Sequence, residues 1–312
     1  MKDRTRLIIS SSAIFITSSR LGFRLHCFGS GFEEFGQAYL PPAEHPLAAE
    51  NHHQGDGDGH DEVRTFRSAY FAIDVTDPDN PQLLWEFTDP DLGYTTSYPA
   101  ILRVGDPADK GTWYLIFGSG PTTLDGDSDH SGYIYVLDLA TGSLKLKKDV
   151  STIDNYLSGQ PTFMASPVTV DLELDYEVDL AYIGLSYKTA SGSWAGEVIR
   201  IETGEDSEVS NWKFSTLIKI DQPITAAPSV SLDLYNRLWI YWGTGRYYSE
   251  ADKTDTSLQR IYGVWDPMVD RDDDGVTDSI SVSDLTDVSA IRVFEYGLSL
   301  IHISEPTRLG MI

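Results

Sequence analysis

From Phe66 onward, short apolar runs alternate with polar turn clusters, and many of the runs carry a period of two. Tyr70-Phe-Ala-Ile-Asp74 alternates and ends at the turn Asp77-Pro-Asp-Asn-Pro81; Leu83-Leu-Trp-Glu-Phe87 follows and ends at Asp89-Pro90-Asp91. Runs rich in β-branched and aromatic residues, bounded by Gly, Pro and Asp, predict strands. No window of 11 or more residues places apolar side chains at helical spacing, so the chain reads as all-β.

The strands repeat. Ser97-Tyr98-Pro99-Ala100-Ile101 precedes Tyr114-Leu-Ile-Phe-Gly118 and Ile134-Tyr-Val-Leu-Asp138. Ala165-Ser166-Pro167-Val168-Thr169 precedes Leu180-Ala-Tyr-Ile-Gly184 and Glu197-Val-Ile-Arg-Ile201. Ala226-Ala227-Pro228-Ser229-Val230 precedes Leu238-Trp-Ile-Tyr-Trp-Gly243 and Ile261-Tyr-Gly-Val-Trp-Asp266. The prolines lie 68 and then 61 residues apart. Such a period with short β-rich runs predicts an array of similar sheets, as in a propeller. About four blades, whole or partial, are expected, so the propeller is incomplete. Proline at a unit start suits a first or edge strand, because it cannot donate to the ladder. Gly118, Gly184 and Gly243 at strand ends suit close approach of neighbouring blades. Trp85, Trp113, Trp212, Trp239, Trp242 and Trp265 are expected in inter-blade packing.

The flanks are less regular. Residues 1–65 hold a short apolar stretch, Arg24 to Phe28, and a polar loop from His45 to Asp61 that is expected to be exposed and mobile. Met1 to Ser19 begins with Lys2, Arg4 and Arg6, but Ser10 to Ser12 interrupt its apolar run, so it makes no convincing signal peptide. Residues 66–297 are expected to form the blades. Leu298 to Arg308 resembles the translation of a transposase-based sequencing adapter, so residues 298–312 are set apart as an adapter-derived tail and carry no functional reading.

Composition narrows the function. Acidic residues number 48 against 23 basic, a net charge of −25. That field repels phosphate backbones and excludes nucleic acid as a partner. Apolar residues at 41% supply a sizeable core. No run of 18 apolar residues occurs, so no transmembrane helix is expected. Cys27 is the single cysteine and forms no intrachain disulfide.

The excess acids concentrate in loops with ligand spacing. Asp270, Asp272 and Asp274 occupy alternate positions, Gly275 permits a sharp turn, the Val276 carbonyl is a further oxygen, and Asp278 follows. Calcium takes six to eight such oxygens, and close carboxylates need a cation to offset their repulsion. Ser281 stands where an EF-hand carries its glutamate, so the site is of a shorter, helix-free kind. Asp171, Glu173, Asp175 and Asp179 repeat the spacing as a second choice, with Tyr176 in place of glycine. A non-glycine residue there resists the turn, and alternation with Leu172 and Leu174 also fits a strand with a solvated acidic face. Two weaker candidates are Asp125, Asp127 and Asp129, and the group Asp56, Asp58, His60 and Asp61 near His52 and His53; each also reads as a polar surface loop.

No nucleophile elbow, zinc-protease helix or phosphate loop occurs, and no carboxylate pair stands out as acid and base. The sequence makes no positive case for an enzyme. Tyr70 to Pro78, Pro81 to Phe87, Asp91 to Tyr94, Ile134 to Gly142, Gln222 to Pro228, Tyr241 to Tyr247 and Ile261 to Asp266, in this order, resemble the PilC/PilY family of type IV pilus proteins. The resemblance covers roughly residues 66–266. It implies a C-terminal quinoprotein-like β-propeller, no catalysis, and a calcium loop directly after a Ser-Pro strand, the place Asp171 to Asp179 occupy here. It also implies export to the periplasm, outer membrane and cell surface, and minor pilins, pilus-tip components or surface ligands as partners. In that family calcium occupancy is linked to pilus extension and retraction. The Asp270 loop looks like an insertion relative to the family pattern. Alternatives are a quinone-cofactor dehydrogenase-type propeller and a generic extracellular propeller stabilised by calcium.

Overall fold

The computed structural model describes residues 68–105, 111–271 and 275–289, together with the backbone of five short strands that precede them. Those five are β1 (Leu7–Ser10), β2 (Ala13–Ile16), β3 (Leu25–Cys27), β4 (His52–Gly55) and β5 (Asp61–Arg64). Then come β6 (Tyr70–Asp74), β7 (Gln82–Phe87), β8 (Ala100–Val104), β9 (Thr112–Gly118), β10 (Tyr133–Asp138) and β11 (Leu144–Asp149). β12 (Thr162–Val170), β13 (Leu180–Lys188), β14 (Trp194–Glu202), β15 (Lys213–Ile220), β16 (Ser229–Leu232), β17 (Leu238–Gly243) and β18 (Ile261–Trp265) complete the chain.

The repeat units become antiparallel meanders. β8 to β11 make one four-stranded sheet, β12 to β15 a second, and β16 to β18 a three-stranded third. β6 and β7 close the order β3-β1-β2-β6-β7 in a fourth. This is the β-propeller expected from the period, present in part. Among the described residues every helix is a single 3-10 turn. One expectation changes: His52–Gly55 is not loop but pairs antiparallel with Asp61–Arg64.

The inner strands of the two four-stranded sheets are buried on both faces, which explains their near-continuous apolar runs. Along β10, Ile134 and Val136 join the core between the β8–β11 and β12–β15 sheets, whereas Tyr135 and Leu137 join that of Tyr70, Trp85 and Phe117. β13 and β14 divide in the same way: Ile183 and Ile199 face one core, Tyr182 and Val198 the next, with Ile240 and Trp242. Two sheets share each core, so the stack is held chiefly by apolar burial.

The Ser-x-Pro segments hold successive units in register. The Ser97 hydroxyl donates to the Ala165 carbonyl at 2.8 Å and accepts from Gly118 N–H. One residue on, Tyr98 N–H donates to the Ser166 hydroxyl at 2.8 Å. Both pairs are 68 residues apart, the repeat period itself. Gly118 and Gly184 are the close approaches expected of them: an added Cβ would fall 2.1 Å from Met164 Cβ and 2.5 Å from Ile224 Cγ2. Gly243 is not; nothing lies within 4 Å of its missing Cβ, because it edges the open side of the third unit. Trp265 likewise remains 41% exposed rather than packed between blades.

Candidate acidic calcium loops

Both principal acidic loops leave one rim of the stack. The Asp171–Asp179 segment joins β12 to β13, and the Asp270–Asp278 segment follows β18. Leu180 pairs with Glu202, Thr203 N–H donates to the Asp179 carbonyl, and Thr277 Oγ1 donates to Glu202 Oε1. Glu202 therefore stands between the bases of the two loops.

In the Asp270 loop, Gly275 adopts φ +83°, the left-handed conformation its position requires. Its N–H donates to Asp270 Oδ2 at 2.8 Å. Asp270 Oδ1 is buried and accepts no hydrogen bond among the described residues. Asp278 turns back on the loop, its Oδ2 accepting from Arg271 N–H at 3.2 Å and from the Arg271 guanidinium at 3.1 Å. Val276 is exposed. Asp272 and Asp274 lie outside the described residues.

The Asp171 loop makes the same internal bond. Asp171 Oδ2 accepts from Tyr176 N–H at 2.8 Å, five residues on, as Asp270 accepts from Gly275. Tyr176 makes the turn despite its Cβ, at φ +73°, and Leu174 takes φ +60°. The turn is held by Asp171, whose Oδ1 also accepts from Asp175 N–H, and by Arg103, which donates to the Tyr176 carbonyl. Asp179 Oδ2 is spent on Leu172 N–H at 2.6 Å. Glu173 is exposed. The loop's acidity reaches a residue the spacing did not single out. Burial, then the charges of Asp175, Asp179 and Glu177, push the Glu205 carboxyl above its usual range. Glu205 comes from the loop after β14, so only the fold brings it here.

Among the described residues, no three His, Cys, Asp or Glu side chains already converge as a metal cage. The described carboxylates of the Asp171 loop do not close on a centre. A buried oxygen on Asp270 and the glycine-made turn are the features that fit a hard cation. The Asp125 loop differs: Lys188 Nζ sits 2.6 Å from Asp127 Oδ1 and supplies the counter-charge itself. Of the His-rich group, Asp56, Asp58 and His60 lie outside the described residues.

A buried ion pair underlies the rim. Arg200 and Asp266 are both fully buried and meet through Nε–Oδ2 and Nη2–Oδ1, each 2.6 Å. Tyr182 donates to Asp266 Oδ2 at 2.8 Å; burial and that carboxylate push its hydroxyl pKa up, so it stays a donor. In the sequence Arg200 and Asp266 read only as strand residues. An arginine inside the apolar run of β14 was the available signal, since a buried charge demands a partner.

Comparison with known proteins decides the family. The model of the PilY1 β-propeller domain matches residues 63–288. The chain belongs to that family. It is 29% identical over 249 residues to the type IV pilus biogenesis factor PilY1 of Pseudomonas aeruginosa strain PAO1, covering 72% of this chain and 20% of the relative. A PilY1 homolog of Xylella fastidiosa is 28% identical over 251 residues, covering 74% of this chain and 18% of the relative. The chain therefore spans about a fifth of the length of these PilY1 relatives. The crystal structure of the P. aeruginosa PilY1 C-terminal domain superposes with a TM-score of 0.53 at 27% identity, over 70% of this chain and 47% of that one. No helix among the described residues is long and apolar enough to cross a membrane.

Proposed function

We propose that this chain is a propeller module of a non-enzymatic type IV pilus assembly and adhesion factor, and that calcium bound in its acidic loops regulates pilus extension and retraction. Membership of the PilY1 propeller family carries the pilus part of the reading. The calcium part rests on one observation: at the head of a sequence with five carboxylates, Asp270 offers a buried oxygen without a hydrogen bond among the described residues, and Gly275 takes the left-handed turn. Asp270, Asp272, Asp274, the Val276 carbonyl and Asp278 would hold the ion. Asp171, Glu173, Asp175 and Asp179 form the second candidate, with Glu205 adding negative charge beside it.

The mechanism is electrostatic. With the ion bound, the carboxylates are held together and the loop is ordered; without it, their repulsion loosens the rim. Export to the cell surface and contact with minor pilins, other tip components or surface ligands follow from the same family reading. Isothermal titration tests the ion. Asp272→Ala with Asp274→Ala is expected to abolish binding at the Asp270 loop, and unchanged calcium affinity in that double variant would remove the assignment.

A further inference from the structure

Three ionisable side chains meet where the two four-stranded sheets are joined. Asp154 lies between the two 3-10 turns that link β11 to β12, Val150–Thr152 and Asn155–Leu157. Its Oδ1 accepts from Tyr156 N–H at 3.1 Å, and its Oδ2 accepts from Lys219 Nζ, near the end of β15. Glu197 of β14, paired across the ladder with Lys219, completes the group. Glu197 is wholly buried. Its Oε2 accepts from Thr216 at 3.2 Å, whereas Oε1 accepts no hydrogen bond among the described residues and stands 3.9 Å from Lys219 Nζ. Among the described lysine ion pairs, no other includes a wholly buried carboxyl. Burial, then a hydrogen bond with Asp154, push the Glu197 carboxyl up. Burial opposes, but the hydrogen bonds from Lys219 and Glu197 hold the Asp154 carboxyl below its usual range. One proton therefore lies between the two carboxyls, beside an amine.

We propose that Lys219 and Asp154 condense to an intramolecular amide, with Glu197 as the proton carrier. Nζ attacks Asp154 Cγ; the Nζ–Cγ bond forms and the Cγ–Oδ2 bond breaks. Two hydrogens of the ammonium leave with Oδ2 as water, one of them relayed through Glu197, which ends as it began. A neutral amide replaces one ammonium and one carboxylate, so charge balances and neither oxidant nor reductant is required. Oδ1 stays as the amide carbonyl and keeps its hydrogen bond from Tyr156 N–H. Contact held by the fold supplies the effective concentration that free partners lack. Glu197 remains buried after linkage, and burial continues to hold its proton. The bond joins residues 65 apart and ties the connection between the sheets to β15. Such a closure restricts the unfolded chain as a disulfide does. Cys27 is the single cysteine, so no disulfide within the chain serves this purpose. No cation enters this chemistry, and it proceeds whether or not the acidic loops bind one.

The test is the intact mass of the full 312-residue chain after days near neutral pH. Wild type is expected to weigh one water less than its sequence, and a tryptic digest to yield the Asp154 peptide joined to the Lys219 peptide. Lys219→Arg keeps the charge without the nucleophilic amine; it is expected to keep its full mass and to melt about 10 °C lower. Water is also lost when an Asp-Gly step such as Asp125-Gly126 cyclises, so a loss that persists in Lys219→Arg overturns the bond. A wild-type chain at its full sequence mass overturns it too, and leaves an ion pair. Glu197→Gln can still hydrogen-bond to Asp154 but carries no proton across. It is expected to reach the same linked state about tenfold more slowly. Linkage at the wild-type rate in that variant overturns the role of Glu197.

Discussion

At the scale of single residues, burial decides which charges matter. Glu197 on β14 is fully buried between the β8–β11 and β12–β15 sheets. Its Oε2 accepts from Thr216, and Asp154, Lys219 and Tyr187 surround it. Burial and the neighbouring Asp154 push its carboxyl up to about 8 from the usual 4.5, while Lys219 opposes. The folded protein therefore holds a proton that the unfolded chain releases near pH 4.5. Stability from this group is fully present below that pH and is lost as pH rises through about 8, by a few kcal/mol at one pKa unit per ~1.4 kcal/mol. Glu197→Gln is expected to match wild type near pH 5 and to exceed it at pH 9. Denaturant titrations at both pH values check this; a parallel pH profile in the variant contradicts it. Tyr176 gives a second residue-scale prediction. Its left-handed backbone is strained for an L residue by roughly 1 kcal/mol, so Tyr176→Gly is expected to stabilise the loop by a few tenths to one kcal/mol. A lower melting temperature in Tyr176→Gly contradicts that account.

At the scale of elements, close approach separates glycines that the repeat made look alike. Gly118, Gly184 and Gly243 share a register, yet only the first two are crowded. Gly118→Ala drives a methyl into Met164 and is expected to cost about 1–3 kcal/mol, whereas Gly243→Ala meets open space and is expected to change stability by less than about 0.5 kcal/mol. Thermal melts of the two variants decide it, and equal losses would show that strand conformation rather than packing selects glycine. The strands and their order were legible because every unit repeats the same apolar runs and turn residues. The serine braces were not: Ser97 and Ser166 are ordinary in sequence, and only adjacency of units 68 residues apart gives them partners. His52–Gly55 reads as loop in the sequence because its polar composition hides a hairpin whose partner, Asp61–Arg64, is also largely polar. Trp265 was expected inside and stands half open, in a cleft of about 870 Å³ shared with Trp239, Val269 and Arg271. Val269 and Arg271 begin the acidic loop, so ordering that loop is expected to alter Trp265 fluorescence. A calcium-dependent signal that survives Trp265→Phe unchanged contradicts that link.

At the scale of the whole molecule, two sheets share each core, and the acidic loops are grouped on one rim above a buried arginine. The loops were legible from spacing alone, because alternate carboxylates and a glycine are a local pattern. Glu205 and the Arg200–Asp266 pair were not, because strands far apart in sequence bring them there. The chain spans about a fifth of its PilY1 relatives, and its propeller is partial. What this portion contributes to such a protein rests on whether its acidic rim takes an ion. Anomalous diffraction from crystals grown with calcium tests that most directly. The account predicts a peak inside the Asp270–Asp278 loop, with Asp270 Oδ1 about 2.3–2.6 Å away. A well-ordered Asp270–Asp278 loop with no anomalous peak at saturating calcium would contradict it.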